Sequence, residues 1–418
     1  MRYAENRDTM INTTMLVMQI IIVTLTLFSG CVMIITLLSN RKRLFFDPKP
    51  LRFPTVTIGV PAYNKASEIE ATLNSLLVLD YPHKPEIIVV DDGSTDKTIE
   101  IVRKFGNRVK LILMKKNSGR KAVPLNVALK HAKGELFGFI DADTIMDKNA
   151  LKAMVGYFNN ENVAAVMPAM KTLSSKSILE RLQRIEYMIT ILSRKMLTFL
   201  NALFITPGCA VFRTNVLRKL GGFDEHDITE DLEIGLRLRK AGWSIENSLN
   251  AVVWTDVPSS FRTITRQRVR WYRGMIHNLR KYWGLIGQHN DLGVFVMPFM
   301  LLGGVASVLL FCGLMAITIY DAIGKLLIFV FAMILSGWDP SLFGTLSMNS
   351  QPNIFVFMSI LFIAIFGVNF YFSALASHQS KRKCILDAIL FILIYTPLFG
   401  FWWILTIIQE IMGSDRVW

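Results

Sequence analysis

The chain reads as an α/β domain on a mostly parallel sheet, flanked by α-helices that belong in or on a membrane. Short β-rich apolar runs alternate with segments of helical period between Thr55 and Ala132, the pattern of strands joined by crossover helices. Each run of interest ends in a polar cluster, as ligand-bearing strand ends do in such sheets. Of 418 residues, 52% are hydrophobic and only 19% charged, with 28 Phe and 20 Met, which points to membrane segments rather than a purely soluble protein.

Residues 1–46 read as an N-terminal anchor. No charge falls between Thr9 and Asn40, and about 20 apolar residues suffice to cross a bilayer. The basic cluster Arg41-Lys42-Arg43 follows the apolar stretch. A cleaved signal has its basic flank in front, so this is a retained span with its carboxyl side in the cytoplasm. The surplus of 46 basic over 32 acidic residues, +14, fits the same orientation bias and attraction to phosphate or anionic lipid. Cys31, Cys209, Cys312 and Cys384 lie far apart in sequence and show neither metal-ligand nor disulfide spacing.

Residues 47–256 carry the α/β region. Its expected strands are Thr55 to Val60, Glu86 to Val90, Val109 to Leu113 and Leu136 to Ile140, and its helices Ser67 to Leu79, Asp96 to Phe105 and Ala122 to Ala132. The strand ends carry Pro61-Ala62-Tyr63-Asn64, Asp91-Asp92-Gly93-Ser94 and Asp141-Ala142-Asp143. Alternate residues of an extended segment point the same way, so Asp141 and Asp143 can share one divalent cation. Two close carboxylates repel unless a cation offsets them. Asp91-Asp92 is open to a second reading, an ordinary turn with an Asx cap. Thr229-Glu230-Asp231 before the helical pattern Leu232 to Lys240 reads locally as a cap, with acids favoured by the helix dipole.

Two later stretches read as helices lying on a membrane. In Ser177 to Phe199, Ile178, Leu182, Ile185, Ile189, Leu192 and Met196 form an apolar stripe, with Arg181, Arg184, Arg194 and Lys195 off it. Residues 257–291 hold no acid before Asp291. There Arg262, Arg266, Arg268, Arg270 and Arg273 interleave with Trp271 and Tyr272, which beside membrane spans fits an interfacial helix better than a nucleic-acid surface. Within residues 292–418, Gly293 to Tyr320, Ile354 to Ser377 and Ala388 to Gln409 are each long enough to span. Leu326 to Trp338 reads as non-spanning, which keeps Lys381-Arg382-Lys383 inside.

The conjunction Asp92, then Asp141-x-Asp143, then Thr229-Glu230-Asp231, then Gln267-x-x-Arg270-Trp271, all ahead of membrane spans, resembles the processive family 2 glycosyltransferases. These are the membrane synthases of cellulose, chitin, hyaluronan and poly-N-acetylglucosamine. Lys176-Ser177-Ile178-Leu179, Gln183-x-x-Glu186-Tyr187 and Ile228-Thr229-Glu230-Asp231 look most like the poly-β-1,6-N-acetylglucosamine synthases. The resemblance implies a Rossmann-like GT-A fold that uses a UDP-sugar and Mg²⁺ or Mn²⁺. By motif position, Asp92 would hold the uridine, with Tyr63 and Asn64 among the substrate contacts. Asp141 and Asp143 would hold the diphosphate and metal, and Lys121 the diphosphate. Asp231 would be the general base, with Glu230 beside it in the catalytic motif. Gln267, Arg270 and Trp271 would grip the acceptor and diphosphate at a tunnel mouth.

The implied setting is the plasma membrane, with a cytoplasmic catalytic domain. The implied partners are a growing polysaccharide, the bilayer and an accessory membrane subunit, but no nucleic acid. Three departures stand out. Asn117-Ser118-Gly119-Arg120-Lys121-Ala122 replaces a shorter Asn-Arg-Gly-Lys-Ala loop, and Tyr272-Arg273-Gly274 replaces Ala-Gln-Gly. A single expected span also precedes the domain, where close relatives often have two.

Overall fold

A computed structural model describes residues 27–288, 291–306 and 354–413, together with a few isolated positions. Eight strands form one sheet in the order β3-β2-β1-β4-β7-β6-β8-β5. They are β1 (Val56–Ala62), β2 (Glu86–Asp91), β3 (Lys110–Leu113), β4 (Leu136–Ile140), β5 (Thr144–Met146), β6 (Val163–Thr172), β7 (Cys209–Arg213) and β8 (Ser244–Thr255). The half read from the sequence, β3-β2-β1-β4, is parallel throughout. Ile87, Ile88, Val89 and Val90 are all buried, as expected of a strand covered on both faces. The half that the sequence did not resolve is mixed. Strand β7 runs antiparallel to β4 and β6, β5 antiparallel to β8, and β6 parallel to β8.

The crossover helices are α2 (Ile69–Leu77), α3 (Thr98–Arg103) and α4 (Ala122–His131), with α5 (Ala150–Val155) after β5. Helix α1 covers Leu27–Ser39. Two apolar layers sandwich the sheet, one around Ile58, Leu73 and Leu151, the other around Leu125, Phe137 and Phe212. Helices α6 (Ile178–Phe199), α7 (Thr214–Lys219), α8 (Glu230–Lys240) and α9 (Phe261–Lys281) follow. Helix α6 starts at a full capping box, in which Ser177 and Glu180 satisfy each other's main-chain donors.

The apolar tail contributes α10 (Leu292–Ala306) and α11 (Ile354–Ala376). Helix α12 (Lys381–Leu390) then runs through a π-helical turn into α13 (Thr396–Ile411). Cys384–Ile411, 28 residues, is long and apolar enough to cross a membrane. Nearly half of Thr9 to Asn40, most of Gly293 to Tyr320 beyond Ala306 and nearly all of Leu326 to Trp338 fall outside the described residues.

The structure corrects the reading of α6 and α9. Past the exposed Ile178 at its start, the stripe on α6 is covered by protein, not left for lipid. Leu182 and Ile185 pack with Ile264, Cys384, Phe391, Tyr395 and Trp402, and Leu192 and Met196 pack with Leu37, Leu44 and Leu249. Periodicity shows that a face is buried but not what buries it. Nor are the cations beside the stripe a solvated face. Arg181 and Arg184 both pair with the buried Asp387, and buried Lys195 donates to Asn247 O at 2.6 Å. On α9, Arg268 and Arg273 do not snorkel; they pair with Glu186 at 2.6 Å and Glu410 at 2.8 Å.

Candidate active site

A cleft of about 490 Å³ opens where β1, β2 and β4 end. Tyr63, Asp92, Lys121, Asp141, Asp143, Glu230, Asp231, Gln267, Arg270 and Trp271 all line it. The structure does not bring Asn64 there. Asn64 sits at φ 51, its main-chain N–H donates to Ser94 Oγ, and its Oδ1 accepts from the Thr95 N–H at 2.8 Å. Asparagine tolerates this left-handed conformation and competes for nearby main-chain donors, so it staples two loops.

The two acids after β2 divide the roles left open by the sequence. Asp91 makes the turn, accepting from the N–H groups of Gly93 and Ser94 at 3.1 and 2.9 Å. Asp92 reaches across to the next loop, where it accepts from the Ser118 N–H and hydroxyl at 3.0 and 2.8 Å. Gly93 makes this approach possible: at φ 77 it lies against the backbone of Lys116 and Asn117, where a Cβ would clash. Burial raises the Asp92 carboxyl above the usual range despite the Ser118 bonds.

Asp141 and Asp143 each meet a lysine. Lys121, at the start of α4, pairs with Asp141 and lies 3.4 Å from Glu230, and Lys65 pairs with Asp143 at 2.6 Å. Burial raises the Asp141 carboxyl. Burial alone would lower the Lys121 ammonium, but Asp141 and Glu230 outweigh it and hold it above the ordinary value. Among the described residues no cluster of three or more His, Cys, Asp or Glu gathers a metal. Two carboxylates at one strand end still fit a divalent cation that takes its remaining oxygens from a bound phosphate, as Mg²⁺ commonly does.

Thr229 stands at the N-cap of α8 but does not cap it. Its hydroxyl donates to Asp227 Oδ1 at 3.0 Å, and Asn278 Nδ2 on α9 donates to both groups at 3.1 Å. Gly274 lets α9 come this close, since a Cβ there would run into the Thr229 side chain. Thus α9 presses on Thr229-Glu230-Asp231 from behind. The two acids then separate. Glu230 is buried and faces Lys121, while Asp231 is half-buried on the cleft wall, its main-chain carbonyl held by the Thr206 N–H and hydroxyl.

The third wall is α6, through Glu186, Tyr187, Thr190 and Arg194. Burial lowers the Arg194 guanidinium to about 10. Glu186, Tyr187 and Ser118 stand in quoted stretches of the sequence without a role, and Lys65 and Asp256, which also line the cleft, were missed. Only proximity to a strand end marked Lys65. A second hollow, of about 550 Å³, lies at the opposite, amino ends of β1 and β4. Its Arg213 and Arg218 are spent on main-chain carbonyls, so it offers no comparable set of reactive groups.

Residues 57–221 match the family model for Glycosyl transferase family 2. The poly-β-1,6-N-acetyl-D-glucosamine synthase of Staphylococcus epidermidis is 32% identical over 251 residues, 58% of this chain and 60% of that protein. The probable glycosyltransferase YdaM of Bacillus subtilis is 31% identical over 242 residues, 55% of this chain and 57% of that one. The chain therefore spans about three fifths of the length of these curated relatives. Among solved structures, the mannosyltransferase PcManGT from Pyrobaculum calidifontis, in complex with GDP-Man and Mn²⁺, matches with a TM-score of 0.59. The match covers 95% of this chain and 100% of that chain at 21% identity, a likeness of fold.

Proposed function

We infer that this chain, whose residues 57–221 match the model for glycosyl transferase family 2, is a member of that family and moves N-acetylglucosamine from a UDP-sugar onto a growing β-linked glycan with inversion. The observation that carries this reading is the single cleft joining Asp92, Asp141 and Asp143 on one side to Asp231, Gln267, Arg270 and Trp271 on the other. The choice of sugar leans on the name of the staphylococcal synthase.

In this reading Asp92 accepts hydrogen bonds from the uridine, and Lys121 and Arg270 face the diphosphate. Asp141 and Asp143 hold Mg²⁺ or Mn²⁺, which when bound neutralises the diphosphate and eases its departure. Asp231 takes the proton from an acceptor hydroxyl as its oxygen attacks the anomeric carbon, while the bond from that carbon to the UDP oxygen breaks on the opposite face. The electron pair leaves with UDP, whose charge Lys121 and Arg270 stabilise. Glu230 stays out of the proton transfer and keeps Lys121 in place. Trp271 offers a flat apolar face to a pyranose.

The exposed side chains Ile389, Leu393, Ile407 and Ile411 on the last helices support a membrane-embedded tail. A tail of that kind suits export of the product. Membranes containing the full chain, given a panel of labelled UDP-sugars and Mg²⁺ or Mn²⁺, should yield polymer from UDP-N-acetylglucosamine and none after chelation. Polymer from UDP-glucose alone would change the sugar, a single-sugar lipid product would replace chain extension, and full activity after chelation would remove the metal.

A further inference from the structure

Beneath Trp271 lies a charged group that none of the chemistry above uses. Arg268 is 1% exposed and carries a guanidinium in the interior. One nitrogen, Nη2, donates to Glu186 Oε2 at 2.6 Å and to the Tyr395 hydroxyl at 3.1 Å, and that hydroxyl donates to the same carboxylate oxygen at 2.7 Å. Among the described residues, Nε and Nη1 have no hydrogen-bond partner. The guanidinium carbon instead lies 4.2 Å from the centroid of the Trp271 ring, with the Trp402 ring on α13 at 5.9 Å. Two aromatic faces thus take charge that oxygen atoms would otherwise take.

Three of the four partners of Arg268 show what it ties together. Glu186 belongs to the cleft wall on α6, Trp271 to the cleft wall on α9, and Tyr395 to the fully buried end of the π turn before α13. The seam between α9 and the tail continues on both sides. Trp402 Nε1 donates to Thr265 Oγ1 at 3.1 Å, the Tyr272 and Trp403 rings stack at 4.7 Å, and Arg273 pairs with Glu410 at 2.8 Å. Trp271 therefore has one face backed by a cation whose own position is set by the C-terminal helix.

We propose that Arg268 is a positioning residue: tied to Glu186 and Tyr395, it fixes the Trp271 ring, so that the last helix forms part of the acceptor site. This rests on the glycosyltransferase reading above. A planar guanidinium can stack and bond in a fork at once, whereas a lysine keeps the charge but loses the stack. Tyr395 does not line the cleft itself, so its hydroxyl acts on the site through the two side chains it bonds, Arg268 and Glu186.

The test uses purified full-length Tyr395→Phe, Arg268→Lys and the charge-neutral pair E186Q/R268M. Binding of a β-linked N-acetylglucosamine oligomer and the KM for acceptor and for UDP-sugar are measured on each. The expected result is an acceptor KM and oligomer Kd raised about tenfold in R268K and E186Q/R268M, less in Y395F, with the KM for UDP-sugar within about twofold. Equal changes in both KM values, or none in folded R268K, would overturn the positioning role. Should E186Q/R268M fail to fold, Y395F and R268K decide. A wild-type protein that neither binds the oligomer nor releases UDP from any UDP-sugar would instead refute the glycosyltransferase reading itself.

Discussion

The two sides of the cleft are held together by different kinds of interaction. The strand-end side is fixed by turn and loop-to-loop bonds within the α/β half, with ion pairs of its own at Lys65–Asp143 and Lys121–Asp141: Asp91 closes its own turn, Asn64 staples the next loop, and Asp92 caps the loop at Ser118. The helical side is fixed by buried charge pairs between segments remote in sequence. Arg268 and Glu186 stand 82 positions apart, Arg273 and Glu410 stand 137 apart, and Arg181 and Arg184 reach forward to Asp387. Turn chemistry constrains a loop whatever lies around it. Buried ion pairs hold only while both partners stay in place, since removing one leaves an uncompensated charge. The strand-end side is thus held from within the α/β half, and the helical side, the acceptor side in the proposed reading, depends on the tail.

Asp231 stands where the sides meet, and changing it should have the largest effect. Asp231→Asn should lower turnover by about 10³-fold while donor binding persists, because only the proton acceptor is lost. Calorimetry with UDP and a UDP-release assay check this, and turnover near that of the wild type would dismiss Asp231 as the base. Next comes the contact through which α9 presses on that motif. Gly274→Ala should lower kcat by about tenfold, since the new Cβ must displace Thr229 and with it Asp231. Adding T229A, which makes room for the methyl group, should recover much of the loss. No recovery would separate Gly274 from the catalytic motif. The smallest effect is expected at the hollow on the far edge. Arg52→Ala removes an exposed pair with Glu135 and should change stability by no more than about 1 kcal/mol, with turnover unaltered. Lost turnover in that variant would move the site to the far edge.

The same division explains what was legible in the sequence. Strands β1, β2 and β4 and the acids at their ends could be read because burial of both faces leaves continuous apolar runs, and chemistry collects where those runs stop; the edge strand β3, partly exposed, still shows as a short apolar run. The strand Leu136 to Ile140 matches to the residue. Strands β5 to β8 of the mixed half escaped because they are irregular partners of distant segments, with register breaks between β6 and β8 at Val163/Ala165 and Pro168/Ala169. Arg268 and Arg270 look alike in a basic amphipathic helix. Only the fold shows that one is sealed beneath Trp271 and the other lines the cleft. Asp387, the one acid in α12, gives no sign in the sequence that it pairs with α6.

Whether the two sides act separately is best measured by a cycle on the donor and acceptor KM values, using Asp92→Asn, Trp271→Ala and the double variant. D92N should raise the KM for UDP-sugar about tenfold and leave the acceptor KM unchanged, W271A should do the reverse, and the double variant should show both effects multiplied. If either single variant raised both KM values alike, the two sides would be one cooperative site and the division drawn between them would be wrong.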